Sequence, residues 1–253
     1  MAVPVQPFAG PAEDAPVGRA LARRSGALGE IGALSRETLG ERVTGELRAL
    51  LVAGRLAPGE KLSLRRVAEA LGVSMMPVRE AVSRLAADGA LEVLPNRAVR
   101  VPVLTLAGFR ELTRLRLVIE GFAAEEAATT ASAEQIERIA GFEAAFGRAA
   151  NAEPPDTAAG VAANRDLHFA LYEAAGMPSL VEMIERLWLK AGPILNLDMR
   201  HEPGRLRGGS AVQAHAALLA ALRRRDAPAA RAALENDIRS AAAHIESAGG
   251  LAE

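Results

Sequence analysis

The sequence of 253 residues contains no cysteine, one tryptophan and one tyrosine. Without cysteine no disulfide framework can form, and a reducing cytoplasm is the default compartment. Aromatic side chains are too scarce to build the stacking platform with which proteins hold single strands. No uninterrupted apolar run approaches the ~18 residues of a membrane span, so none is expected. The opening residues, MAVPVQPFAG, lack both a basic start and an apolar stretch, so no secretion signal is expected. Strong net charge is also missing, the total being −1, but its distribution is uneven. Residues 35–103 carry 11 Lys and Arg against 8 Asp and Glu, residues 1–34 carry 3 against 3, and the remainder carries 16 against 20. A mildly basic module joined to a mildly acidic one is the balance of a DNA reader joined to a sensor. Chance produces differences of this size as well, so charge alone decides little.

What is present is helical period. Residues 1–34 are rich in Pro, Gly and Ala without a sustained period, and are expected to form a flexible tail. From Thr38 onward Leu39, Val43, Leu47, Leu50 and Leu51 recur at helical spacing, with Gly54 placed to close the helix and Pro58-Gly59 to turn the chain. A short helix over SLRRVAEAL ends at Gly72. After Asp88-Gly89, the alternating runs LEVL and VRVPV around PNRA predict a small β-hairpin. From Leu106 to about Ala248 the chain is rich in Ala, Leu, Arg and Glu at helical period. Five breaks, at Ala131-Ser132, NAEPPD, Gly176–Pro178, HEPGRLRGG and Asp226–Pro228, divide it into about six helices. The expected fold is therefore mainly α: a winged helix-turn-helix over 35–103, then an all-α bundle over 104–248.

The stretch LGVSMMPVREAVSRLAADGAL carries the most specific signal. Ser74 is a favourable N-cap, and Pro77 falls in the first turn, where a missing N–H costs nothing, so this proline starts a helix. Val78, Ala81, Val82 and Leu85 repeat at i, i+3, i+4 and i+7 and define a buried face. Met75, Arg79 and Ser83, spaced by four, are left to face outward, with Met76 and Glu80 beside them. Two helices joined by a three-residue turn containing Gly form a helix-turn-helix, whose second helix sets side chains on base edges in the major groove. Arg65 and Arg66 on the preceding helix are placed for phosphate or the groove edge. Arg97 and Arg100 on the hairpin are available to the backbone or minor groove. The bland alternative is a helical hairpin within an ordinary core, its arginines on a solvated face.

The segment LAPGEKLSLRRVAEALGVSMMPVREAVSRLAADGAL resembles the N-terminal winged helix-turn-helix of the GntR family of bacterial transcription regulators. The landmarks are Pro58-Gly59, LGVS, and PVREA followed by RLAADG. The remainder resembles the FCD effector domain of that family's FadR-type branch, through RLRLVIEGFAAEEAA, NRDLHFALYEAAGMPSL and AHAALLAALRRRDAPAARAALENDI. Landmarks of two domains thus occur in the expected order over roughly residues 36–246. Family members usually carry arginine where this chain has Met75, and a bidentate Arg–guanine pair is the commonest specific contact. Methionine there offers only apolar contact, such as to a thymine methyl. Arg79 matches the family's other recognition arginine.

In the second domain, Asn164 and His168 are four apart on one helical face, His215 lies on the next-to-last helix and Asp237 on the last. The resemblance implies a divalent metal at these four positions, where the family commonly has Asp, His, His and His. Amide and carboxylate oxygens with two imidazoles suit Zn²⁺, Ni²⁺ or Mn²⁺ without choosing among them, and Asn is the weaker ligand. A histidine beside a polar group is, on composition alone, more often a hydrogen-bonded core residue. His201 and His244 are expected not to be ligands, His244 because seven residues beyond Asp237 is roughly 10 Å along a helix. Arg116 and Glu120 match the family's Arg-x-x-x-Glu, which implies an arginine holding an effector carboxylate; a surface i,i+4 pair is the alternative. Trp188 and Tyr172 either line the same cavity or belong to the core.

The expected function is a ligand-responsive regulator that binds a palindromic operator in double-stranded DNA as a homodimer, its affinity set by a small organic acid, with no membrane involved. Coupling is expected through the connection at Pro102–Thr105. The rival is a small metal-dependent enzyme using His168, His215 and Asp237, although no general base stands at suggestive spacing. A plain binding or scaffolding protein would leave the recognition helix and wing unexplained.

Overall fold

A computed structural model of the chain describes residues 38–201, 209–249, 251 and 252, and the side chains of residues 197–201 are outside this set. The tail expected at 1–34 lies outside the described residues. Helix α1 (Leu39–Val52) begins on a capping box, in which Thr38 Oγ1 accepts from the Glu41 N–H while Glu41 accepts from the Thr38 N–H. Strand β1 (Lys61–Leu62) leads into α2 (Leu64–Leu71), capped by Ser63. Gly72 then takes the left-handed conformation, φ 64°, that reverses the chain at the helix C-terminus. Helix α3 (Met75–Ala87) follows, then β2 (Glu92–Val93) and β3 (Val99–Arg100).

The wing is a three-stranded antiparallel sheet of order β1-β3-β2, with Lys61 opposite Arg100 and Val93 opposite Val99. The two-stranded hairpin read from the sequence therefore gains a third strand. Lys61–Leu62 follows directly on the Pro58-Gly59 turn and is too short to carry a period of its own, so only the pairing with β3 makes it a strand.

Among the described residues, six helices make up the second half: α4 (Leu106–Thr130), α5 (Ala133–Asn151), α6 (Thr157–Ala174), α7 (Pro178–His201), α8 (Ser210–Arg224) and α9 (Ala227–Ala248). Their starts are set by side-chain caps: Thr105 for α4, a Ser132/Gln135 capping box for α5, Asp156 for α6 and Asp226 for α9. The bundle core is built from small alanines of α4 interlocked with Leu167, Leu171, Ile184, Leu218, Leu222 and Leu234. The core of the N-terminal module joins Val43, Leu47 and Leu51 of α1 to Val78, Ala81, Val82 and Leu85 of α3.

One residue in that second core comes from the other half of the chain: Leu189 of α7, 1% exposed. Around it α7 lies directly on the end of α1. Asn196 Nδ2 donates to the Val52 carbonyl at 2.7 Å, and Arg48 of α1 bridges Asp88, at the end of α3, and Glu185 of α7. Gly192 permits the approach, because a Cβ there would stand 2.8 Å from the Val52 carbonyl oxygen. The connecting segment has its own restraint. Leu106 N–H donates to the Ala252 carbonyl and Ala252 N–H to the Leu104 carbonyl, while Leu251 packs with Phe109, Ile194 and Ile245. Among the described residues, no helix is long and apolar enough to cross a membrane.

Candidate functional site

The candidate recognition surface is the outer face of α3. Val78, Ala81, Val82 and Leu85 are buried, and Arg79, Glu80 and Ser83 are exposed. Ser74 occupies the N-cap position but makes no side-chain capping bond. The reason lies at the third helical position, Pro77, which has no N–H for a cap to accept. The Ser74 hydroxyl thus stays at the exposed entrance of the helix. Met75 differs from expectation: it is half-buried and packs on the core of the N-terminal module. It stands three residues before Val78 and seven before Val82, on the buried stripe itself. Its neighbour Met76, 73% exposed, is the methionine that faces outward, in line with Arg79 and Ser83.

The flanking arginines divide into free and engaged. Arg66 on α2 and Arg97 at the wing tip are exposed, the latter in a turn with φ 61°. Arg65 is exposed but lies along Glu69, Nε to Oε1 2.9 Å. Arg100 is tied across the sheet to Glu92, Nε to Oε2 2.8 Å. An exposed pair of this kind is worth little in water, so phosphate can displace either carboxylate.

The second centre lies inside the bundle. Six polar residues are buried among those described, and four of them, Arg116, Glu120, His168 and His215, meet in one place. Asp237 of α9 completes the group: its carboxylate is 3.3 Å from His168 Nε2 and 3.9 Å from His215 Nε2. One donor atom each from His168, His215 and Asp237 falls within 4.8 Å of the other two. Both ring nitrogens of His215 lack a hydrogen-bond partner although the ring is buried. Burial pushes the His215 pKa down to about 4, so the ring is neutral and its lone pair available. Burial alone would raise the Asp237 carboxyl, but the His168 hydrogen bond, with His215 and Arg116 nearby, holds it below the usual carboxylate range. Two imidazoles and a carboxylate, with both His215 ring nitrogens lacking a hydrogen-bond partner, fit a divalent cation.

Asn164 lines the same cavity together with Arg116, His168, Trp188 and Asp237. The space open to the centre of a water molecule there is about 50 Å³. Arg116 is not the surface residue of the bland alternative. The residue is 5% exposed, and its guanidinium sits 5.2 Å from the centre of the Trp188 ring and donates to both oxygens of Glu120, at 2.6 and 3.1 Å. Nη1 is the guanidinium nitrogen that Glu120 leaves unengaged. Tyr172 is fully buried and donates to Glu120, while its oxygen lies 3.0 Å from His168 Nδ1. Trp188 both lines the cavity and belongs to the core. His244 stands outside the three-residue cluster, and the side chain of His201 lies outside the described residues.

Two family models match the chain, one for bacterial regulatory proteins of the gntR family over residues 39–101 and one for the FCD domain over residues 111–240. The HTH-type transcriptional regulator McbR of Escherichia coli K12 is 33% identical over 196 residues, covering 77% of this chain and 87% of McbR. The chain belongs to the GntR family. The structure of E. coli McbR/YncC superposes with a TM-score of 0.77 at 30% identity, over 83% of this chain and 98% of that one. A putative GntR regulator from Rhodococcus sp. RHA1 superposes at 0.68 with 26% identity, over the same 83% and 98%. A probable D-xylose utilization operon transcriptional repressor of Paenarthrobacter nicotinovorans is 31% identical over 162 residues, 64% of this chain and 70% of the relative.

As a GntR regulator with an FCD domain, the chain is a DNA-binding transcription regulator and not an enzyme. Helix α3 lies within the segment matched by the gntR family model, and the His168, His215 and Asp237 cluster lies within the segment matched by the FCD model. Sequence reasoning missed the contact between the two halves. Its one legible trace is Gly192-Pro193 followed by Asn196 in the apolar second half of an amphipathic helix, a pattern that a close approach of another backbone explains.

Proposed function

We propose that this GntR regulator binds a palindromic operator as a homodimer, and that a small organic acid held at a divalent metal in the FCD domain sets its affinity. The observation that carries the coupling is a pair of adjacent residues on α7. Trp188 lines the cavity beside Arg116 and His168, and Leu189 is buried in the core beneath the recognition helix. A change in the cavity that moves Trp188 thus bears on the DNA module through the rigid helix, besides the covalent connection at Pro102–Thr105.

Direct readout falls to Arg79, Ser83, Met76 and the Ser74 hydroxyl, with Met75 packing behind them. Arg65, Arg66 and Arg97 serve the phosphate backbone or groove edge. His168, His215 and Asp237 would hold the metal, with the Asn164 amide beside them. A bound Zn²⁺, Ni²⁺ or Mn²⁺ would supply open positions for a carboxylate. Arg116 contributes Nη1 to the acid and holds its charge in place. At about 10–15 Å³ per water centre, the cavity has room for roughly three to five waters, which suits a small acid.

Pairing is assigned to α4, whose Leu115, Val118 and Phe122 form an exposed apolar stripe at i, i+3 and i+7. A second copy presenting the same stripe would give a two-fold dimer and a palindromic site. The testing experiment is a gel shift of DNA from the promoters of its own and neighbouring genes, with and without Zn²⁺ and candidate acids. A coupling of about 1–3 kcal/mol changes operator affinity roughly 5- to 150-fold. Affinity unmoved by every metal and acid combination would defeat the effector reading, and absence of any specific shift would defeat the operator reading.

A further inference from the structure

Met76 is the most exposed large hydrophobic residue among those described, at 73%. It stands nine residues before the fully buried Leu85, about 180° around a helix of 3.6 residues per turn, so it points straight away from the buried face of α3. Met75 beside it packs on the core of the N-terminal module, and Met76 does not.

The rest of the outer face narrows what Met76 can do there. Glu80 is the acidic group on this face, and a carboxylate is the natural acceptor for a cytosine amino group. It is drawn off to α1 instead. Its Oε1 is 2.6 Å from Arg84 Nη2, and its carboxylate lies against Gly40 in the first turn of α1, where a Cβ would stand 2.4 Å from Oε2. The positive end of that helix favours a carboxylate in this place. Arg84 is held by the same contact, with Glu41 3.8 Å away. Arg79 and Ser83 are left to make hydrogen bonds to base edges, and Met76 stands beside them. A thioether has no hydrogen to donate and accepts only weakly. Against base edges it gains by covering an apolar group, and the major groove offers one, the C5-methyl of a pyrimidine.

We propose that Met76 is a specificity-determining residue that reads the C5-methyl of a thymine in each operator half-site. The inference rests on the operator reading above and names a base within it. Met76 precedes Arg79 by three residues, about 4.5 Å along the helix axis, so its thymine lies within about two base pairs of the pair that Arg79 reads. 5-Methylcytosine carries the same methyl in the same place, and is the substitute that Met76 accepts.

The test is anisotropy titration of the full-length protein on the duplex recovered by site selection, with single thymines replaced by deoxyuridine. Uracil lacks only the methyl and keeps every hydrogen-bonding group of thymine. At one thymine per half-site the expected loss is about fourfold, and about 15-fold with uracil in both half-sites. Met76→Ala, at an exposed position, should lose about as much on the thymine duplex and then be indifferent to uracil at that position. Replacing the same pair by 5-methylcytosine–guanine should cost less than replacing it by cytosine–guanine, and only with Met76 present. Uracil effects of equal size in the parent and in Met76→Ala overturn the proposal, as does a selected site with no thymine within about two base pairs of the one relaxed by Arg79→Ala. A specific site without a methyl effect thus defeats this inference alone, whereas recovery of no specific site defeats the operator reading and this inference with it.

Discussion

Gly192 lies in the middle of α7, where an alanine would ordinarily strengthen a helix by about 0.5–1 kcal/mol. Here its added Cβ would meet the Val52 carbonyl oxygen at 2.8 Å, the Leu51 carbonyl oxygen at 2.9 Å and Val52 Cα at 3.0 Å. All three are backbone atoms of α1, so relief requires the two helices to separate. Overpacking of this kind costs about 1–3 kcal/mol. Separation also strains the Asn196–Val52 hydrogen bond of 2.7 Å, for about 1 kcal/mol more. The balance for Gly192→Ala is a loss of about 1–3 kcal/mol, against a gain of about 0.5–1 kcal/mol for the control Gly141→Ala on α5, where an added Cβ meets nothing within 4 Å. Urea denaturation of both variants beside the parent reads the difference as midpoints moving in opposite directions. A Gly192→Ala protein stabilised like Gly141→Ala would refute the close docking of α7 on α1, and with it the proposed route from cavity to recognition helix.

Met75→Arg should shift base preference toward guanine at one position of each half-site if the longer side chain leaves the core edge for the groove, as selection from a random library would reveal. In chelator-treated protein His215 makes stability depend on pH. Its folded pKa of about 4 lies below the unfolded value of 6.5, so its contribution is complete above pH 6.5 and is lost as the pH falls toward 4. The loss amounts to about 3 kcal/mol. A His215→Leu variant should show a flatter dependence of urea midpoint on pH. Elemental analysis of the purified parent should find a divalent metal that is missing from the His168→Ala/His215→Ala double variant, and an acid that acts equally on both would show that the pocket works without the ion.

Much of the architecture was legible because its signals are local. The buried stripe of α3 is a direct reading of spacing, and the helices after Leu106 are marked by breaks of Gly, Pro, Asp and Ser. Met75 was legible too in hindsight, since its distance of three from Val78 puts it on the stripe. Contacts between distant segments were not. Lys61–Leu62 becomes a strand only beside Val99–Arg100, and Tyr172 finds Glu120 52 residues away. The pairing of Arg116 with Glu120 could be read at i,i+4, but whether it faced water or the core depended on Trp188 and Tyr172 closing over it. Leu189 looked like any apolar residue of a bundle helix, because nothing in its neighbours tells which core it enters.

Whether α3 reads an operator is decided by anisotropy titration of the full chain and of Arg79→Ala on the duplex recovered by site selection. Two protomers are expected on one palindromic duplex, with a loss of about 1–3 kcal/mol for Arg79→Ala and selectivity relaxed at one base pair of each half-site. An Arg79→Ala protein that binds the same duplex as tightly and as selectively as the parent would contradict that reading.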